Sequence, residues 1–216
     1  MVVAIDGPAG AGKSTVASLV AEQTDLFYLN SGNFYRAVTL KVLENNADPE
    51  NEQEVIKSAE NTAIEIREGR TFADGIDVEN KLHTPVVDRW VSEHSAIIPV
   101  RHVVVQRLRE VAQSLDIIME GRDITTVVFP QAEVKIYLDA DVETRVKRRF
   151  TQGIGDTSLD EIRENIIKRD KIDKNKAEGS LRIAPDAVYL DTSDLTIDQV
   201  CEKVVYIIHS WKNQQE

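Results

Sequence analysis

The sequence predicts an α/β fold: a five-stranded parallel sheet flanked by helices, carrying a small antiparallel β insertion and a helical lid. Three observations predict it. Short apolar runs alternate with stretches of helical periodicity, the pattern of repeated βα units. One segment switches to period two between tight-turn signals. Two basic helical segments are joined by a glycine-containing loop, the composition of a flap.

Taken in order, the predicted strands are Val2–Asp6, Leu26–Leu29, Asp116–Glu120, Val134–Asp139 and Ala187–Asp191. Each is short, apolar and bounded by polar or turn residues. The predicted helices are Gly12–Gln23, Ser31–Leu43, Asn51–Asn61, Pro85–Ser95, Val100–Ser114, Asp141–Gln152, Ser158–Asn175 and Thr196–Trp211. From Ala63 to Thr84 the chain alternates apolar and polar residues, interrupted at Glu68-Gly69 and Asp74-Gly75. That pattern predicts two tight antiparallel turns. From Thr151 to Thr157, Gly153 and Gly155 separate two helices that read as a mobile flap. The expected division is a core of 1–62, 85–144 and 177–216, an insertion of 63–84 and a lid of 145–176.

The most informative motif is Gly7-Pro8-Ala9-Gly10-Ala11-Gly12-Lys13-Ser14, a G-x-x-x-x-G-K-S sequence between the first strand and the first helix. That context is what a phosphate-binding loop requires. Glycines let the backbone wrap a polyphosphate with its N–H groups inward, and the following helix adds its free N-terminal donors and dipole. Lys13 would reach the outer phosphates and Ser14 would ligate Mg²⁺.

Composition narrows the classes. Charged residues make up 29% and hydrophobic residues 42%, the balance of a globular chain rather than a disordered one. No apolar run approaches membrane-spanning length, and the chain enters its first strand without a basic, apolar leader, so no membrane contact and no secretion are expected. The sole cysteine, Cys201, cannot form an internal disulfide, which fits a reducing cytoplasm. His83, His94, His102 and His209 show no metal-ligand spacing. The net charge of −11 disfavours a nucleic-acid partner. Yet Arg145 to Lys176 holds ten Lys/Arg against six Asp/Glu. A basic segment on an acidic protein suggests contact with an anionic ligand, although a solvated helical face has the same composition.

Three further segments place polar groups where chemistry would need them. Asn30-Ser31-Gly32 follows a strand and opens a helix, with Arg36 one turn in. Ser31 reads as an N-cap, and Arg36 could pair with a phosphate. Glu120-Gly121-Arg122-Asp123 ends a buried strand, the end where open α/β sheets bind ligands. An internal Arg–Asp ion pair would explain the same residues. Arg169, Asp173 and Lys176 recur at i, i+4 and i+7, either a binding face or a surface ion-pair ladder.

Together these residues resemble the bacterial cytidylate kinases, the CMP kinases of the nucleoside monophosphate kinase group of P-loop NTPase folds. The resemblance spans nearly the whole chain. It runs from Ile5 through Ser14, Ser31-Gly32 with Tyr35-Arg36, and Pro99-Val100-Arg101. It continues with Gly121-Arg122-Asp123, Thr126 to Pro130, Val134 to Ala140, Arg148-Arg149, and Arg169-Asp170 with Asp173. The Gly-Arg-Asp and Thr-Val-Val-Phe-Pro segment is its most specific part. The resemblance implies that ATP, with Mg²⁺, sits on Gly7, Pro8, Ala9, Gly10, Ala11, Gly12, Lys13, Ser14 and Thr15. It implies that Arg36 and Arg122 hold the CMP phosphate and that Ser92, Arg101 and Asp123 read cytosine. Ser31, Asp173 and Lys176 join the CMP side, and Arg145, Arg149 and Arg169 face the transferring phosphate beside Lys13. The implied reaction is ATP plus CMP or dCMP to ADP plus CDP or dCDP, by a cytoplasmic monomer. The sequence departs from the family pattern at Asn30 (for Asp), Thr125 (for Gly), Lys176 (for Arg) and Ser180 (for Pro). Thr125 would be strained if that glycine adopts a backbone conformation that β-branched residues resist. A kinase for another small acceptor, such as shikimate, and a slow nucleotide-binding switch are the rival readings.

Overall fold

The first strand, β1 (Val2–Asp6), becomes the middle of the main sheet, because its residues from Val3 onward are buried on both faces. The computed structural model describes residues 1–113, 115–153 and 158–214. β2 (Phe27–Asn30), β6 (Ile117–Gly121), β7 (Val134–Asp139) and β8 (Val188–Asp191) complete a parallel sheet of order β2-β6-β1-β7-β8. β1 pairs in register with β6, Val2 opposite Ile117 and Asp6 opposite Gly121, so the carboxyl ends of the two strands lie side by side.

Period-two alternation divides the core into two layers. Val3, Ile5, Ile118, Ile136 and Leu138 face α1 (Lys13–Thr24) and α8 (Ile197–Asn213), packing with Val16, Val20, Val204 and Ile208. Cys201 is buried in the same layer as an ordinary helix residue. Ala4, Leu29, Ile117 and Met119 face the opposite layer, where Phe34 and Val38 of α2 (Ser31–Glu44) and Val104 and Leu108 of α5 (Ile98–Ala112) fill the interior. α3 (Glu52–Asn61) and α4 (Pro85–His94) pack on that side as well, through Val55, Val87 and Val91.

The insertion forms as its turn residues dictate. β3 (Ile64–Arg67), β4 (Arg70–Ala73) and β5 (Ile76–Asp77) make a three-stranded antiparallel sheet. Both turns hold consecutive residues at positive φ, Glu68 (51°) with Gly69 (74°) and Asp74 (52°) with Gly75 (76°). That is the mirror-image turn whose twist matches the flanking strands. Ile64 and Ala73 anchor the sheet to the core.

α6 (Val142–Thr151) and α7 (Leu159–Asn175) stand apart with a small core of their own, Val146, Ile162 and Ile166. Arg163 joins them by bonding Glu143 at 2.9 Å. Ser158 caps α7 through a capping box with Glu161. The expected flap loop lies partly outside the described residues, at 154–157, as does Ser114, the expected end of α5.

Element ends differ from expectation by one or two residues. α5 starts at Ile98 rather than Val100, because Pro99 is tolerated in a helix's first turn, where an N–H is unpaired anyway. Two short elements had no periodic signal: a 3₁₀ turn at Glu79–Lys81 and a π-helical turn at Ile124–Val128. No helix among the described residues is long and apolar enough to cross a membrane.

Candidate active site

Residues 7–12 connect the buried end of β1 to α1 and curl at the carboxyl edge of the sheet. No side chain caps α1, so its first-turn N–H groups remain available to an anion. Lys13 folds back inside the loop, its Nζ donating to Pro8 O at 2.9 Å. Burial pushes the Lys13 ammonium down to about 7, with Arg122 adding to the shift and Glu120 opposing it. Arriving phosphates would supply the anionic partner this lysine lacks. The hydroxyl of Ser14 donates to Glu120 Oε1 at 2.6 Å. Two adjacent oxygen donors beside the loop suit a hard divalent cation.

The carboxyl end of β6 organises the other half. Asn30, not Ser31, caps α2, accepting from Gly32 N at 2.9 Å. The expectation for Ser31 is corrected because Asn30 carries the side-chain oxygen one position earlier. Ser31 is freed to donate to Glu120 O at 2.8 Å, tying α2 to β6. Asn30 makes this cap as an aspartate would.

Arg122 and Asp123 diverge rather than pair. Arg122 Nε donates to Asp173 Oδ2 at 2.8 Å, and Asp123 pairs with Arg101 in the interior. Lys176 Nζ donates to the other Asp173 oxygen at 2.8 Å and to Ser95 Oγ at 3.0 Å. Lys176 and Asp173 are both buried, which rules out the surface-ladder reading. Burial drives the Asp173 carboxyl upward, but Arg122, Lys176 and Arg169 outweigh it and hold it well below the usual carboxylate range. Burial raises Asp123 despite Arg101 and Lys176.

Arg101 is almost completely enclosed. Nη1 donates to Ser95 O at 3.1 Å, its guanidinium lies 5.8 Å from the Tyr35 ring centre, and Nε has no partner among the described residues. Ser92 is buried on α4, the helix that ends just before Ser95. Gly179 covers the guanidinium: it sits at φ +67°, and a Cβ there would come within 1.8 Å of Arg101 Nη2. Only glycine fits both the conformation and the space.

The remaining arginines converge from three helices. Arg36 on α2 bonds Asp88 Oδ1 at 2.5 Å and His83 Nδ1 at 3.2 Å. Arg145 on α6 donates to Ala9 O at 3.0 Å and pairs with Asp170 at 2.8 Å, which docks the helix on the loop. Arg149 reaches Asp88 Oδ2 at 3.3 Å. Arg169 on α7 is half-buried, with its Nε enclosed and unpartnered among the described residues, and desolvation, Arg122 and Arg36 lower it to about 10. Lys13 and Arg169 have no carboxylate partner among the described residues, and enclosed cations of that kind are costly unless an anion joins them. This cluster therefore has the character of a polyphosphate site.

The family model for cytidylate kinase matches residues 3–210. The chain belongs to the cytidylate kinase family. It is 40% identical over 210 residues to the cytidylate kinase of Alkaliphilus oremlandii, covering 95% of this chain and 96% of that one. It is 42% identical over 222 residues to the cytidylate kinase of Limosilactobacillus reuteri, covering 99% and 96%. Among solved structures, shikimate kinase from Bacteroides thetaiotaomicron shares the fold, with a TM-score of 0.51 at 10% identity over 97% of this chain and 98% of that one. As a member of this family the chain is a nucleoside monophosphate kinase, a transferase with the P-loop kinase fold.

For this cytidylate kinase family member the sequence missed the acids that hold the arginines. Asp88 carried no signal of its own, and Asp170 and Glu120 entered only as members of the Arg169-Asp170 and Glu120-Gly121-Arg122-Asp123 segments, with no partner assigned. The one available signal was Glu120, an acid closing an otherwise apolar buried strand. Thr125 also corrects an expectation. Its φ is not positive, and its N–H and hydroxyl both donate to Asp6 Oδ2, at 2.8 and 2.6 Å. The position demands no glycine. Asp6 also accepts from Ile124 N at 2.9 Å, and burial pushes its carboxyl up to about 6 despite these bonds.

Proposed function

We propose that the chain transfers the γ-phosphoryl group of ATP to CMP or dCMP, giving ADP and CDP or dCDP. The observation that carries this reading is the meeting of Lys13 from the phosphate loop with Arg122 at the end of β6 and Arg169 of α7, each close enough to shift the Lys13 ammonium. A site built that way holds two polyanions in contact. ATP would lie on Gly7 to Thr15, with Lys13 and the first turn of α1 on its outer phosphates. The CMP phosphate would take Arg36 and Arg122. Cytosine would enter beside Ser92, Arg101 and Asp123, donating its amino group to Asp123 while its ring acceptors meet Arg101. Ser31, Asp173 and Lys176 would border the nucleotide on the same side.

The acceptor oxygen is already ionised, so these residues need no general base. An oxygen of the CMP phosphate attacks the γ-phosphorus, and the bond to the β–γ bridging oxygen breaks. Lys13, Arg145, Arg149 and Arg169 would offset the charge, and alignment accounts for the rest of the acceleration. Ser14 and Glu120 would hold Mg²⁺, which supplies phosphate orientation and charge neutralisation when bound. We read 63–84 as the CMP-side insertion, 145–176 as a lid that excludes water, and the remainder as the core. The net charge of −11 argues against a nucleic-acid partner. We further propose a monomer working in the cytoplasm.

An ADP-release assay with CMP, dCMP, UMP and AMP tests the reading. CMP and dCMP should be used at least about tenfold better than UMP, because uracil leaves buried polar groups mispaired. Equal turnover of UMP or AMP would overturn the assigned pocket.

A further inference from the structure

Asp88 has no task in the reaction as written, yet it sits among the groups that perform it. It lies in the first turn of α4, with its side chain only 19% exposed. Each carboxylate oxygen takes a different guanidinium. Oδ1 accepts from Arg36 Nη2 of α2 at 2.5 Å, and Oδ2 accepts from Arg149 Nη2 of α6 at 3.3 Å. His83 Nδ1 occupies Arg36 Nε at 3.2 Å, leaving the Nη2 side of the fork to the carboxylate. His83 is kept neutral by burial and by Arg36, which suits an acceptor. Arg169 also feels the Asp88 charge. A carboxylate bridging two guanidiniums matches a phosphate in charge sign and in oxygen spacing.

We infer that Asp88 is an internal counter-anion for the acceptor phosphate, holding Arg36 and Arg149 in the empty site and yielding them when the monophosphate binds. It is a positioning residue that sets acceptor affinity. The inference rests on the reading of Arg36 as a CMP-phosphate ligand. The competition acts on the phosphate alone, so a nucleoside without one is indifferent to it.

The test is calorimetric titration of CMP and of cytidine, without ATP, into wild type, Asp88→Asn and Asp88→Ser. Asp88→Asn keeps the shape and removes the charge, and should tighten CMP about tenfold while leaving cytidine unchanged, since close charge pairs couple at that scale. Asp88→Ser should shift CMP in the same direction. A carboxylate that merely braces the fold would do the opposite: both variants would bind CMP at wild-type strength or weaker, and the inference is then overturned. Wild type binding CMP no tighter than cytidine would instead remove Arg36 from phosphate recognition, and the functional reading and this inference would fall together.

Discussion

The central sheet and the α6–α7 pair are held together by different physics. Around β1 and β6, both faces are apolar and fully enclosed, and Val3, Ala4, Ile5, Ile117, Ile118 and Met119 have no exposed surface. The α6–α7 pair encloses only Val146, Ile162 and Ile166. Its attachment to the rest of the molecule runs through charged side chains: Arg145 and Arg148 to the Ala9 and Ala11 carbonyls, Arg149 to Asp88, Lys168 to Glu93, and Asp173 to Arg122. The sheet is therefore a fixed platform. The helix pair is positioned by charged bonds of the kind that phosphates can exchange, which supports the proposed lid role.

The sharpest break in this comparison comes at Lys13, where platform and ion cluster meet. Lys13→Ala should lower turnover at least about a hundredfold, as loss of a preorganised charge-stabilising group does. The thermal transition should not fall, because burial disfavours the Lys13 charge in the folded state and its removal relieves that cost. Near-wild-type ADP release by this variant would refute the phosphate-loop assignment.

A paired truncation measures the two cores directly. Ile118→Ala, in the sheet, should cost about 2–5 kcal/mol of unfolding free energy in urea titrations. Ile166→Ala, on α7 of the proposed lid, should have a smaller effect on the main transition and a larger one on KM for both substrates. Equal losses of global stability would mean that the lid folds as part of the platform.

Most of the platform was legible in the sequence because its signals are local. The G-x-x-x-x-G-K-S loop between strand and helix, the Glu-Gly and Asp-Gly turns, and the five apolar strands each sit within a few consecutive residues. The site was legible as a set of residues but not as a set of pairings. Arg36, Arg122 and Arg169 stand out beside motif residues, but their acids lie far away in the chain: Asp88 is 52 residues from Arg36, and Asp173 is 51 from Arg122. Nothing in a strand or helix period records such a pairing. The π-helical turn at Ile124–Val128 escaped for a related reason, since its N-terminal donors are satisfied by Asp6, more than a hundred residues earlier.

The proposed base recognition sharpens the comparison, because Gly179, in the short segment after α7, packs directly on Arg101 of the platform. Gly179 lies on Arg101 with no room for a side chain. Gly179→Ala should displace the guanidinium and reduce the preference for CMP over UMP by about tenfold, the cost of one buried hydrogen-bonding arrangement. The ATP parameters should change much less. Retained CMP preference would take Arg101 out of base reading.

The smallest expected effect is at Lys176, one residue beyond α7. Its ammonium is buried between Asp173 and Ser95, bonding both. A lysine there is a point charge, whereas an arginine presents a planar fork that can hold Asp173 and a ligand oxygen together. Lys176→Arg should therefore lower KM for CMP by a few-fold, roughly the gain from one charge-assisted hydrogen bond shared with existing partners. KM for ATP should stay where it is, because Lys176 sits on the acceptor side. Steady-state kinetics on this variant separates two roles. A selective change in the CMP parameters places Lys176 at the nucleotide. Unchanged parameters for both substrates would make it a brace for Asp173, whose own charge is already secured by Arg122, and the acceptor site would then consist of Arg36, Arg101, Arg122, Asp123 and Asp173 without it.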